Sequence, residues 1–387
     1  MAAVFPLTGV IRPYAWGSRT SIAGLQGRPA PTGTPEAELW LGAHPGDPAT
    51  VTAADGPISL ATLIEDDPEA QLGAETVKEF GVRLPYLMKI LAAETPLSLQ
   101  AHPDADYAKK AFAAQEADPD APRNYTDAFH KPEMLVALTP FEALCGFRAP
   151  DEAAKALEAF GIDRLTPVVT ALRKGVEGLR EAVHTLLTWP ADDRAALLAE
   201  VVAAGTSPLA TSLAAHYPGD PGALVALLLN HVRLQPGEAI WMPAGNLHAY
   251  LSGTGVEIMA ASDNVLRGGL TPKRVDVDEL LRVLRFETLD DPILPATPVS
   301  PGVQTWQVPA REFALYRLDL GPATPPLSLP PQGPRIVLGT QGDVYVAEAV
   351  DGTPVELTPG TAAYIPASTG PATAAGLGQL FVAAVAP

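Results

Sequence analysis

The sequence predicts a mainly β protein interrupted by one helical insertion. Three observations carry this reading. The 387 residues include 33 glycines and 41 prolines without a collagen-like period, punctuation that suits short strands and turns. Short apolar runs recur through residues 1–100 and again after residue 300. Residues 151–233 are instead rich in alanine and leucine at helical spacing.

Length and composition bound the rest. At about 150 residues per domain, the chain holds two or three domains. Hydrophobic residues make up 47% and charged residues 18%, enough apolar material to bury a large core and to exclude wholesale disorder. Lys+Arg 26 against Asp+Glu 44 leaves a net charge of −18, which repels polyanions and disfavours broad nucleic-acid binding. Cys145 is the only cysteine, so no intrachain disulfide forms and a reducing compartment fits. Residues 1–17 lack the charged start and apolar run of a secretory signal. No stretch reaches about 18 consecutive apolar residues. The expectation is a cytoplasmic protein with no membrane contact.

In chain order, helices are expected at 59–65 and 104–117, the second from Ala108, Ala111 and Phe112 at helical spacing. Residues 84–91 read as a buried strand entered through Pro85, and 37–41 and 97–100 as shorter apolar runs. Four or five helices fill 151–233. Ser207-Pro208 and Asp220-Pro221 each place an oxygen-bearing side chain before a proline suited to the first helical position. Strands return at 239–242, 248–251 and 256–260, followed by a helix at 276–286 with Val277, Leu280, Leu281 and Leu284 apolar. Residues 289–303 read as a proline-laden linker. Apolar runs at 335–338, 344–347, 362–365 and 380–384 suggest a small all-β unit. The expected organisation is a body formed by 1–150 and 234–290, a helical insert at 151–233 and a β unit at 300–387.

Four segments carry chemistry. In Gly237-Glu-Ala-Ile-Trp-Met-Pro243-Ala-Gly245-Asn-Leu-His248, a strand ends at a Pro-x-Gly turn and the next strand opens with an inward imidazole. This spacing resembles the second motif of the cupin β-barrel. Gln100 and His102 stand two apart in Ser98-Leu-Gln-Ala-His-Pro103, so on a strand they share a face. Lys131 and Glu133 do the same in His130-Lys-Pro-Glu133; His130 has the opposite parity and reads as supporting. The fourth segment, Gly255 to Lys273, is polar and glycine-rich, with Arg267 and Lys273 available to an anion.

Together the segments resemble the type I, zinc-dependent phosphomannose isomerases. The likeness runs from Trp16-Gly17 through residues 84–91, 97–103, 130–133, 237–250 and 263–273, and covers most of the chain. It implies a cupin (jelly-roll) β-barrel catalytic domain, a helical insert domain and a second, degenerate cupin-like C-terminal barrel. In that tail Gly360 to Pro366 repeats the glycine–proline spacing, but Ser368 and Pro371 stand where the turn glycine and the histidine were. The resemblance implies one Zn²⁺ per chain on Gln100, His102, Glu133 and His248, a nitrogen and oxygen set without thiolate. With Glu133 as the one anionic ligand, the bound ion keeps a formal charge of about +1.

The same resemblance puts Arg267, Lys131, Glu257, Asp263 and Tyr250 in catalysis, and Lys89, Lys273, Ser98 and Trp16 against the substrate. The implied reaction interconverts mannose 6-phosphate and fructose 6-phosphate through a zinc-stabilised enediolate, within carbohydrate metabolism leading to GDP-mannose. Lys131 and Glu257 both remain open as the proton carrier. The implied partner is a small sugar phosphate, with neither nucleic acid nor membrane, and the chain is expected to act as a monomer. Two rivals stand beside this reading: a non-catalytic sugar-phosphate sensor, and an iron-dependent cupin dioxygenase.

Overall fold

The computed structural model describes residues 4–120, 122–330, 333–350 and 352–387. Two large sheets, built from antiparallel strand pairs, dominate it. One carries, in spatial order, Ile293–Leu294, Ala239–Met242, Glu133–Ala137, His248–Ala260, Tyr86–Ala93, Glu38–Leu41 and Val10–Arg12. The short strands Gln100–Ala101 and Leu266–Arg267 join at one end of His248–Ala260.

The other sheet is built from the C-terminal strands, including Ala314–Leu320, Ala372–Ala384, Arg335–Glu348 and Ala362–Ile365. It is completed by the start of the chain: Phe5–Thr8 pairs with Ala362–Ile365, placing Phe5 opposite Tyr364. The two sheets share one core, in which Tyr86, Met88 and Ile90 pack with Trp306, Phe313, Tyr364 and Phe381. Tyr86 also donates from its hydroxyl to the carbonyls of Pro334 and Ala383, at 3.1 Å each. All eight residues of Tyr86–Ala93 are buried, which explains why this strand reads as an apolar run broken only by Lys89.

The expected helix at 104–117 forms as Ala105–Ala117, with the Asp104 carboxylate accepting from Tyr107 N at 2.8 Å. Ser207 likewise caps Pro208–His216 through Ala210 N. Asp220 does not cap a helix. Its carboxylate accepts from Gly222 N and from Thr271 N, tying the insert to the loop beyond Arg267. Six α-helices lie between Pro150 and Val225, the last a single four-residue turn.

Other expectations are corrected. The runs at 248–251 and 256–260 belong to one strand, His248–Ala260, whose Ser252–Gly255 middle contains the polar and glycine residues that read as a break. Those at 335–338 and 344–347 likewise merge into Arg335–Glu348. The helix at 276–286 is shorter, Val277–Val283, because Leu284 turns extended. The linker at 289–303 contains two strands, Ile293–Leu294 and Thr297–Ser300, each paired at a sheet edge where proline is tolerated, and its last residue opens a third, Val303–Thr305.

Candidate metal centre

The Pro243-x-Gly245 turn delivers His248. Gly245 sits at φ +77°, and a Cβ there would meet the Val283 carbonyl at 2.8 Å, so glycine is required. Gly245 N donates to the His102 carbonyl at 2.8 Å, which joins this turn to the Gln-x-His segment. The backbone register places His248 opposite Gln100, and Gln100 opposite Arg267. Glu133 begins its own strand opposite both Met242 and Met259. Four separate segments thus converge at one end of the sheet.

Their polar atoms face one another. Glu133 Oε2 lies 3.2 Å from His102 Nε2 and 3.2 Å from His248 Nε2, and Gln100 Nε2 lies 3.4 Å from His248 Nε2. Both imidazoles are fully buried and Glu133 nearly so. Despite these distances, His102 Nε2 and Glu133 Oε2 are buried without a hydrogen-bond partner, which native interiors rarely tolerate. The far side of each ring is tied instead: His102 Nδ1 lies 2.6 Å from the Asn264 carbonyl, and His248 Nδ1 lies 3.0 Å from the Asn246 carbonyl. A carbonyl only accepts, so each Nδ1 carries the proton and each Nε2 presents a lone pair inward. Burial pushes the His102 pKa down to about 4, keeping the ring neutral. Burial opposes ionisation of Glu133 as well, yet the carboxyl is held well below its usual range. With His102 neutral, Lys131, whose Nζ lies 2.8 Å from Glu133 Oε1, is the cation that keeps it ionised.

Two lone-pair nitrogens, one carboxylate and one amide form a donor set that fits Zn²⁺. His102, Glu133 and His248 form a cluster with ligand atoms within 4.8 Å of one another. Cys145 is not part of it. Its thiol is buried, raised to about 12, and close to Trp241 O and Asn246 Nδ2.

A second polar group lines the same sheet. Glu257 stands opposite Lys89 in register, and their side chains meet at 3.0 Å. Tyr250 donates to the other oxygen of Glu257 at 2.7 Å. Burial raises the Glu257 carboxyl above its ordinary value; Lys89 works against the rise, and the charges of Glu133 and Glu38 add to it. Burial alone would lower Lys89, but Glu257 and Glu38 override it and hold the ammonium protonated. Glu38 was not anticipated. It lies 3.5 Å from Lys89 Nζ and accepts from the Trp40 indole at 2.6 Å. An acid two positions before a tryptophan in an apolar run was the available signal, since both share one strand face.

The remaining expected residues are placed less tightly. Arg267 is half-buried beside Gln100, and its guanidinium has no ion pair or hydrogen bond among the described residues. Asp263 is exposed, 3.5 Å from His44 Nε2, on a cavity of about 360 Å³ shared with Arg83, Asp127 and Phe129. Lys273 is exposed on another cavity, of about 370 Å³, with Arg194 and Asp220. Ser98 is half-buried. Trp16 stacks on Tyr14 and packs against the cluster containing Tyr250 and Leu97. Its neighbour Gly17 allows close backbone approach, because a Cβ would meet Ala37 Cα at 2.4 Å.

The catalytic-domain model of type I phosphomannose isomerase matches residues 4–150. The mannose-6-phosphate isomerase of Escherichia coli is 37% identical over 386 residues, covering 97% of both chains.

The chain belongs to the type I phosphomannose isomerase family.

The human mannose-6-phosphate isomerase is 33% identical over 94% of each chain. Solved structures agree with this membership. A single-residue variant of the phosphomannose isomerase from Salmonella typhimurium matches with a TM-score of 0.90 at 33% identity, covering 99% of this chain and 100% of that one. A zinc-bound mannose 6-phosphate isomerase matches with a TM-score of 0.89 at 33% identity over the whole of both chains.

Proposed function

We propose that this chain is an aldose–ketose isomerase that interconverts mannose 6-phosphate and fructose 6-phosphate with one zinc ion held by Gln100, His102, Glu133 and His248. The observation that carries the reading is the buried His102, Glu133 and His248 cluster, in which His102 Nε2 and Glu133 Oε2 have no hydrogen-bond partner, found in a chain whose relatives are named for this activity. Zinc bound there supplies a Lewis acid for the sugar's carbonyl and hydroxyl oxygens.

The reaction moves a proton between adjacent carbons of a weak carbon acid, so the protein must supply a proton carrier near neutral pH. Lys131 and Glu257 are the two candidates. Lys131 Nζ is engaged by Glu133 at 2.8 Å, whereas Glu257 is a carboxyl that burial raises above its ordinary value against the pull of Lys89. We assign proton transfer to Glu257 and charge stabilisation to Lys131. Tyr250 and Lys89 fix the two Glu257 oxygens. The unpaired guanidinium of Arg267 is the cation available to the phosphate or to developing negative charge. Ser98 and Trp16 are assigned to the substrate in this reading, Trp16 through its packing against the cluster of Tyr250, while Asp263 and Lys273 line two separate cavities and are assigned more distant contacts.

The fold is read as two cupin-type barrels, a catalytic one drawn from 1–150 with 234–290 and a degenerate one from 300–387 to which Phe5–Thr8, Thr50–Ala53 and Gly56–Ser59 contribute strands, with the helical insert at 151–233 between the flanks of the first. Support comes from the two sheets and from the repeated glycine–proline spacing at Gly237 and Gly360. Among the described residues no helix is long and apolar enough to cross a membrane. The buried free thiol suits the cytoplasm. A single copy completes the metal cluster, in keeping with a monomer. The sensor and dioxygenase readings find no support among the relatives.

The test uses NMR to follow mannose 6-phosphate. Glu257→Gln should retain zinc and lose turnover by at least about 10²-fold. Lys131→Ala should also lose turnover; full turnover with zinc retained removes the lysine from the mechanism.

A further inference from the structure

The segment bearing Lys131 has no ladder to hold it. Residues 127–132 are irregular, and the strand begins only at Glu133. Two clamps from one side fix its flanks. The Phe129 carbonyl accepts from Asn264 Nδ2 at 2.8 Å and from the Ser262 hydroxyl at 3.2 Å, and the Pro132 carbonyl accepts from Ala260 N at 3.1 Å. Between these clamps, the His130 side chain reaches Glu312 and is not part of the metal cluster. Its Nε2 lies 2.5 Å from Glu312 Oε1.

Glu312 belongs to the C-terminal part of the chain, between Ala310 and Phe313 of the shared core. It is a buried acid, 8% exposed, and its second oxygen, Oε2, is buried without a hydrogen-bond partner. Besides the backbone amides of Arg311 and Glu312, His130 is the one hydrogen-bonded side-chain partner of this acid among the described residues, so the buried carboxylate holds that imidazole in place. Lys131 follows immediately and must sit within 2.8 Å of Glu133. Surface ion pairs such as Lys78–Glu75 carry no such consequence, because both of those groups are solvated.

We propose that Glu312 is a positioning residue for the isomerase reaction: through His130 it sets the Lys131–Glu133 segment, so that the C-terminal unit takes part in aligning the metal site. This rests on the function proposed above. It also gives the second sheet a role beyond packing, since a carboxylate from residue 312 fixes backbone one residue away from the site lysine.

The experiment compares wild type, Glu312→Gln, Glu312→Ala and Lys131→Ala, and the double variant Lys131→Ala/Glu312→Ala. Readouts are kcat, KM, zinc content and melting temperature. Misplacement of a site residue by a fraction of an ångström should lower kcat about tenfold in Glu312→Ala, with zinc content unchanged. Glu312→Gln, which can still accept from His130, should recover most of that loss. The double variant should be no slower than Lys131→Ala alone, because the two act in series. A lowered melting temperature with kcat and KM unchanged would make Glu312 purely structural and overturn the proposal; so would losses that simply multiply in the double variant. If Glu312→Ala fails to fold, His130→Ala breaks the same contact from the other side, and its kcat must fall about tenfold with zinc content unchanged; wild-type kcat overturns the proposal. Absence of turnover in the zinc-loaded wild type would instead defeat the isomerase reading itself, a result distinct from any of these.

Discussion

Tyr250 donates a hydrogen bond of 2.7 Å to Glu257, although the two residues lie seven apart on one strand and should face opposite sides of it. The register against Phe141–Phe147 shifts between Tyr250 and Ser252, and Gly253 follows at φ +119°. One extra residue in the strand restores the common face. His248, Tyr250 and Glu257 thereby line the same site.

That irregularity depends on Gly253. A Cβ there would stand 2.7 Å from Phe141 Cδ2 and 2.7 Å from the Pro140 carbonyl. Gly253→Ala should therefore cost about 1–3 kcal/mol of stability and lower turnover through misalignment of Glu257. Urea denaturation and kcat measured together check this, and wild-type values for both would remove the strand irregularity from the mechanism.

Cys145 should be chemically silent. Its thiol is buried and raised to about 12, so the thiolate that thiol reagents attack is scarce. A disulfide reagent should label the folded protein only at the rate of unfolding. Cys145→Ala should retain its zinc content, because no thiolate belongs to the donor set.

Metal-free protein should lose stability in acid through His102. Its folded pKa of about 4 lies below the ordinary value of about 6.5, so between them the unfolded chain binds a proton that the folded chain refuses. The stability is present above pH 6.5 and is lost as pH falls toward 4, at about 1.4 kcal/mol per pH unit. Denaturation of chelator-treated wild type and His102→Gln across this range should show a shallower slope in the variant. Equal slopes would mean that His102 titrates normally.

A chain ending at Pro301 should not fold. It would lose the strand that pairs with Phe5–Thr8 and the Trp306, Phe313, Tyr364 and Phe381 side chains that pack on Tyr86 and Met88. Circular dichroism and zinc binding of the truncated chain test this, and a folded, zinc-binding product would show that the first sheet stands alone.

The candidate metal cluster left the clearest trace in the sequence, because its residues stand in short motifs at strand ends: Gln100 and His102 where one strand stops, Lys131 and Glu133 where another starts. The helix starts at Asp104 and Ser207 were legible for a similar reason, since capping is local chemistry. What escaped notice depends on distant chain. The sharing of a sheet between Phe5–Thr8 and the C-terminal strands leaves no local trace. Nor do the Asn264 and Asn246 carbonyls that orient the two imidazoles, because every residue has a carbonyl. Glu38 shows in the sequence as an acid two positions before Trp40, but its pairing with Lys89 depends on a distant strand.

The most direct measurement is the isomerisation of mannose 6-phosphate by protein stripped with a chelator and then titrated with Zn²⁺. Turnover should be absent from the stripped protein and return in proportion to added metal, reaching its maximum at about one ion per chain. Undiminished turnover without metal, or none in the fully zinc-loaded protein, would contradict a zinc isomerase built on Gln100, His102, Glu133 and His248.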